Sequence, residues 1–251
     1  MIGLKLGFEV SGEWSRRLAA LTLLANAIES LIAEYGCSNV CVMEPKELNE
    51  VIHEDLVLCF SSCEEAPSKG FELDEMKSLG LIPKYELVPC NTSVTKCISE
   101  DAVLNYVIKC FDYMISYVRS YALRTAIEGR EYIVVTLKNG RAALFEGEEG
   151  RVRLPDVGII ASAHTHPRGC IPSPHDIRTL INTLFNGGVG IAITSVDCTL
   201  KIVRCGPFTE DDLIELQRFR SVLRRGDLSR IRDVIKKGVI GRNIKVILKV
   251  E

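Results

Sequence analysis

The sequence predicts an α/β protein: a small α/β unit at the N-terminus, followed by a mixed β-sheet domain flanked by helices. Three observations predict it. Short apolar runs alternate with helical periodicity through the first hundred residues. A long amphipathic stretch then separates them from a β-rich segment carrying Asn-Gly and Glu-Gly steps, which are hairpin signals. Finally, net charge changes sign along the chain. Residues 1–100 hold sixteen Asp and Glu against eight Lys and Arg, a balance of −8, so the remainder carries +6 of the overall −2. Uneven halves suggest two units with different surfaces and an attraction between them. The boundary is placed near residue 100, giving units 1–100 and 101–251.

The elements follow in order. GLKLGFEV reads as a strand, and the helix after it, from Ser11 to about Tyr35, has Ser11 placed to cap it. Strands NVCVME and DLVLCFSS flank the helix-like segment PKELNEVIHE. A short helix and the strand KYELVPC follow the loop EEAPSKG. From Ser99 a second long helix runs to about Ile127, with a partial aromatic stripe suited to a core. EYIVVTL, a Lys-Asn-Gly turn, RAALFEG, a Glu-Glu-Gly turn and VGIIASAHTH make the next strands. The helix DIRTLINTLFN, the strand pair VGIAITSV and LKIVRCG, two basic helices and a last strand NIKVILKV complete the chain.

Composition narrows the class. With 47% hydrophobic and 25% charged residues the chain is an ordinary folded protein. Nothing at the N-terminus reads as a signal peptide. The most apolar helix, LAALTLLANAIESLIAEYG, contains Asn26, Glu29 and Glu34, so no membrane span is expected and a cytoplasmic location follows. No glycine-rich phosphate loop follows any strand. Basic residues after 204 fall at helical spacing, as in RFRSVLRR and RIRDVIKK, which reads as a solvated helix face before it reads as nucleic-acid binding. The ten cysteines include no Cys-x-x-Cys pair, and Cys41 and Cys59 lie inside apolar strands. Buried thiols are expected, with a structural disulfide or a metal site as alternatives.

Chemistry concentrates in SAHTHPRGCIPSPHD, residues 162–176, which holds three of the four histidines. His164 and His166 end an apolar strand, where positions two apart share a face and can grip one ion. Asp176 begins the following helix, ten residues on. Two imidazoles and a carboxylate are three ligands, leaving a tetrahedral zinc one open position, as catalytic sites do. The same residues also fit a helix start, with Ser173 at the N-cap, Pro174 first and Asp176 third. His175 is expected to face away, since adjacent helical positions diverge by about 100°. His53 reads as a surface histidine, Trp14 as a packing anchor, and Arg168 and Cys170 as loop residues beside the site.

His-x-His-Pro, a short loop and Ser-x-x-Asp resemble the signature of the JAMM (MPN-plus) metalloproteases, zinc isopeptidases that cleave bonds to ubiquitin-like modifiers. The resemblance covers residues 101–205. It implies a JAMM/MPN-like fold there, Zn2+ as cofactor, His164, His166 and Asp176 as metal ligands, and Ser173 as the donor to the oxyanion. It also implies a glutamate opening the strand after the first helix of that domain. Glu131 occupies that position and would take a proton from the attacking water and pass it to the leaving amine. Glu128, three residues earlier, is the rival. The connection PRGCIP is one residue shorter than is usual in the family. On this resemblance the chain is a zinc-dependent hydrolase of amide or isopeptide bonds, its substrate a ubiquitin-like or sulfur-carrier protein, with residues 1–100 recruiting partner or substrate. Two other readings stand beside it: a non-catalytic zinc-binding MPN-like scaffold, and, less favoured, a nucleic-acid-associated protein like a bacterial DNA-repair-associated family with a similar His-x-His-Pro motif.

Overall fold

A computed structural model describes residues 8–43, 51–90, 97–147 and 158–251. Its elements are β1 (Phe8–Glu9), α1 (Glu13–Tyr35), β2 (Asn39–Met43), β3 (Leu56–Ser61), α2 (Phe71–Ser78), β4 (Tyr85–Pro89), β5 (Cys97–Ile98), α3 (Glu100–Arg119) and α4 (Ala122–Glu128). They continue with β6 (Tyr132–Leu137), β7 (Ala142–Glu146), β8 (Ile159–Thr165), α5 (Pro174–Phe185), β9 (Gly190–Thr194), β10 (Cys198–Arg204), α6 (Glu210–Arg225), α7 (Leu228–Lys237), β11 (Val239–Ile240) and β12 (Ile244–Val250). The protein is α/β with two mixed sheets, as expected. The larger runs in the order β1-β7-β6-β8-β9-β10-β12-β11 and the smaller β4-β3-β2-β5.

The large sheet lies between two helical layers. Alternation along β9 and β10 sends Ala192 and Val203 toward the core beneath α1 and α3, and Ile191, Ile193 and Ile202 toward the core under α5 and α6. Helix α1 touches both sheets, packing on α2, α3, β2 and β6. Leu18, Leu21, Leu24 and Ile28 are fully buried. A helix enclosed this way is apolar nearly all round. That is why α1 is long and apolar enough to cross a membrane while most of its apolar window is buried inside the protein.

The boundary near residue 100 marks a change of sheet, not of core. Strand β1 pairs with β7 in the large sheet, and one core runs through α1, α3 and strands of both sheets. The charge imbalance appears as ion pairs across this boundary: Glu9 with Arg141 at 3.1 Å, Glu75 with Lys138 at 3.5 Å and buried Arg204 with Glu29.

Several elements differ from expectation. The long helix after Ser99 is two helices, α3 and α4. Ser99 caps α3 as predicted, accepting the Ala102 N–H. At the break, Ser120 Oγ donates to the Tyr117 carbonyl at 2.8 Å and Tyr121 stacks on Tyr132. Ser11 is not the cap of α1, which is Gly12. The Ser11 hydroxyl accepts from the Ala142 N–H at 2.8 Å instead, tying the chain to β7. The two-residue strands β5 and β11 went unread because so short a run has no periodicity. Segment 45–54 and the Glu-Glu-Gly turn lie wholly or mostly outside the described residues.

The cysteines depart furthest. Eight are bonded, as Cys37–Cys63, Cys41–Cys97, Cys59–Cys90 and Cys170–Cys198. Only Cys110 and Cys205 are free thiols, and burial pushes Cys110 up to about 11. Pairing follows strand neighbours and not sequence spacing, which the absence of Cys-x-x-Cys concealed.

Candidate metal centre

Strand β8 is interior to the large sheet, antiparallel to β6 and parallel to β9. Ala161, Ala163 and Thr165 alternate with Ser162 and His164, and both alanines enter the core beneath α1 and α3. His164 therefore projects on the opposite side, toward α5. His166 follows the strand's end but keeps its pairing, because its N–H donates to the Thr194 carbonyl at 2.8 Å. The two imidazoles converge, with Nε2 atoms 3.0 Å apart.

Asp176 completes the group from the first turn of α5. Its Oδ1 lies 3.3 Å from His164 Nε2 and its Oδ2 3.7 Å from His166 Nε2. The capping geometry is present as well. Ser173 N–H donates to Asp176 Oδ2 at 2.6 Å, and Asp176 N–H donates to Ser173 Oγ at 3.2 Å. One carboxylate thus caps the helix and faces the histidines: the cap fixes its rotamer, and the fixed rotamer points at both imidazoles.

The spacing suits a small tetrahedral ion. Ligands about 2.0–2.1 Å from zinc stand about 3.3 Å from one another, and the imidazole–imidazole distance and the distances from each imidazole to its nearer carboxylate oxygen, 3.0, 3.3 and 3.7 Å, lie around that edge. His164 and Asp176 are each only 8% exposed, while His166, Ser173 and Glu131 form a half-buried rim. Burial opposes charge on every group of the centre; it prevails at His166 and Glu131, and neighbours override it at His164 and Asp176. His164 is raised above its ordinary value, because Asp176 and Glu131 outweigh its desolvation. His166 is pushed down to about 4 by burial and by His164, which leaves it a neutral imidazole. Asp176, though desolvated, is held well below the usual carboxylate range by His164 and the Ser173 N–H. A neutral imidazole and a firmly ionised carboxylate are the forms a metal requires.

Glu131 lies between α4 and β6, its carbonyl accepting the Gly147 N–H at 2.8 Å. Burial raises its carboxyl, with His164 opposing and Asp176 assisting, so it is within electrostatic reach of the centre. Glu128 is not so placed: it ends α4 and pairs with Arg124 at 3.0 Å. His175 and His53 are exposed, and Trp14 packs on the core. Arg168 is exposed in the loop, whereas Cys170 is buried and bonded to Cys198.

Sequence reasoning missed two supports of this centre. Thr165, between the histidines, turns inward, where its Oγ1 lies 2.6 Å from Thr125 Oγ1 and accepts the Tyr132 N–H at 2.8 Å. It joins β8 to α4 and to the residue after Glu131. The signal was legible, since a hydroxyl forced inward by alternation needs partners. The second support, Cys170–Cys198, clamps the middle of the short PRGCIP connection to the start of β10. Nothing in the spacing of those cysteines announced it. Compared with known proteins, the chain matches no family model, no curated protein and no solved structure.

Proposed function

We propose that the protein is a zinc-dependent hydrolase of the JAMM type, cutting an amide or isopeptide bond. The observation that carries this reading is the convergence of His164, His166 and Asp176 at tetrahedral spacing, beneath a rim holding Glu131 and Ser173. Zinc, when bound, supplies Lewis acidity that acidifies water and polarises a carbonyl. The residues do the rest. His164, His166 and Asp176 hold the ion, leaving one side open. Glu131, raised by burial, accepts the proton of the attacking water and delivers it to the departing nitrogen. Ser173 uses its Oγ lone pairs for the helix cap and keeps its O–H to donate to the carbonyl oxygen as negative charge develops there.

The substrate class is a protein with an extended C-terminal tail, such as a ubiquitin-like or sulfur-carrier protein, recognised by main-chain pairing. Because β8 is paired on both sides, such a tail would add at an edge of the sheet and not beside the histidines themselves. A cytoplasmic setting belongs to the same proposal. The short PRGCIP connection favours the scaffold reading, in which the ion only stabilises. One experiment separates the two. Incubation with a ubiquitin-like fusion should give cleavage in wild type and none in Glu131→Gln, with zinc content equal in both and Glu128→Gln behaving as wild type. Equal cleavage by wild type and Glu131→Gln would remove the glutamate from the mechanism; zinc binding without hydrolysis of any such fusion would leave the scaffold reading.

A further inference from the structure

Four cysteines meet at one point of the small sheet. Cys41 on β2 and Cys59 on β3 stand directly opposite in antiparallel register. The outer strands deliver one sulfur each from the two sides: Cys97 from β5, which pairs with β2, and Cys90 just after β4, which pairs with β3. Cys41 is bonded to Cys97 and Cys59 to Cys90, yet the two bridges also touch. Cys59 Sγ lies 3.6 Å from Cys41 Sγ and 3.6 Å from Cys97 Sγ.

Contact between bridges is not something loop closure requires. Each bridge restrains the chain through the residues it spans, here separations of 56 and 31, wherever the other lies. Contact does gather the sulfurs of Cys41, Cys90 and Cys97 around that of Cys59. In a tetrahedral zinc–thiolate site with bonds of about 2.3 Å, the sulfurs stand about 3.8 Å apart. Two separations between the bridges, from Cys59 Sγ to Cys41 Sγ and to Cys97 Sγ, lie near that edge at 3.6 Å, and the sulfurs of Cys41, Cys59 and Cys90 all lie within 4.8 Å of one another. The sheet also needs a fastening of some kind, since β5 is a two-residue strand with only two residue pairs joining it to β2.

We propose that Cys41, Cys59, Cys90 and Cys97 form a second metal site, a four-thiolate centre for one thiophilic divalent ion such as zinc. The pair of disulfides is its oxidised, metal-free form. Interconversion balances as follows. Two equivalents of a dithiol reductant give four electrons and four protons to the two bridges and leave as two disulfides. The ion then displaces the four thiol protons to water, giving a centre of net charge −2. Cys97 is exposed and Cys90 partly so, which gives reductant and ion a route to Cys41 and Cys59 beneath. In a reducing compartment, where disulfides are rare, the ion would fasten all four strands in their place. The centre shares no ligand with the His164 site and stands or falls separately.

The test uses full-length protein, reduced, stripped of metal and titrated with Co2+. Wild type and the His164→Ala/His166→Ala variant should both develop the intense near-ultraviolet thiolate-to-cobalt charge-transfer absorption. Cys41→Ser/Cys59→Ser should lack it. A readout on unaltered protein guards against misfolding of that variant: Zn2+ should protect Cys41, Cys59, Cys90 and Cys97 of reduced wild type from alkylation, located by peptide mass spectrometry, and leave Cys37 and Cys63 unprotected. Charge-transfer absorption that survives in Cys41→Ser/Cys59→Ser, or zinc that leaves alkylation of the four unchanged, overturns the proposal.

Discussion

Ser173→Ala separates the helix cap that the hydroxyl forms from the oxyanion role proposed for it. As cap, Ser173 Oγ accepts only the Asp176 N–H, at 3.2 Å. The reciprocal bond, at 2.6 Å, is donated by the Ser173 main chain and survives the substitution. Half of the capping box is lost, so the stability cost belongs near the middle of the usual range, about 1 kcal/mol. For a chain of this size that lowers Tm by about 2–4 °C and leaves essentially every molecule folded at 25 °C. As oxyanion donor the same hydroxyl is worth about 10²–10³ in kcat. The two losses differ enough to be read on one sample by thermal denaturation, zinc content and turnover of a fusion substrate. The expected result is a small drop in Tm, unchanged zinc and at least a hundredfold slower turnover. Turnover preserved within a fewfold beside the same drop in Tm would refute the catalytic role, leaving Ser173 a cap alone.

Two further predictions rest on the supports of the fold. Replacing both Cys170 and Cys198 by serine opens a bridge of sequence separation 28, for which loop entropy gives about 3.5 kcal/mol; denaturant melts should show that loss, and kcat should fall because Ser173, the proposed oxyanion donor, sits three residues beyond the released clamp. Unchanged stability would mean the bridge does not hold the loop in solution. Asp212 accepts the N–H groups of Thr209, Arg242 and Asn243 and the Thr209 hydroxyl, and although burial opposes it these bonds hold its carboxyl below the ordinary value. Its stabilisation is therefore complete above the unfolded pKa of about 3.9 and is lost as pH falls through the lower folded value. Asp212→Asn should flatten the fall of Tm across that acid range; an identical acid slope in wild type and variant would contradict the assignment.

The centre was legible because its logic is local. Period-two alternation put His164 and His166 on one face, and the spacing to Asp176 matched both a helix start and a third ligand. The two readings of Asp176 looked like competitors, and the geometry makes them one arrangement. Glu131 was distinguishable from Glu128 by the helix end, where Gly129 takes a left-handed φ of 74° and closes α4 just after Glu128. Illegible features depend on contacts distant in sequence. No pattern near Ser11 reveals that its hydroxyl will meet Ala142, and none near Ser120 announces a helix break that stacks Tyr121 on Tyr132. The Cys41–Cys97 and Cys59–Cys90 pairings were hidden for the same reason, since they follow from β2 pairing with β5 and β3 with β4. Ion pairs such as Glu9 with Arg141 do join the two halves, but composition could not reveal that α1 fuses them into one core.

The most direct test of the metal centre is an anomalous-difference map collected at the zinc absorption edge from crystals of the full-length protein. The expected result is a peak about 2 Å from the Nε2 atoms of both His164 and His166 and from a carboxylate oxygen of Asp176, absent from crystals of the Asp176→Ala variant grown in the same way. Zinc-soaked wild-type crystals with no anomalous density among these three side chains would contradict it.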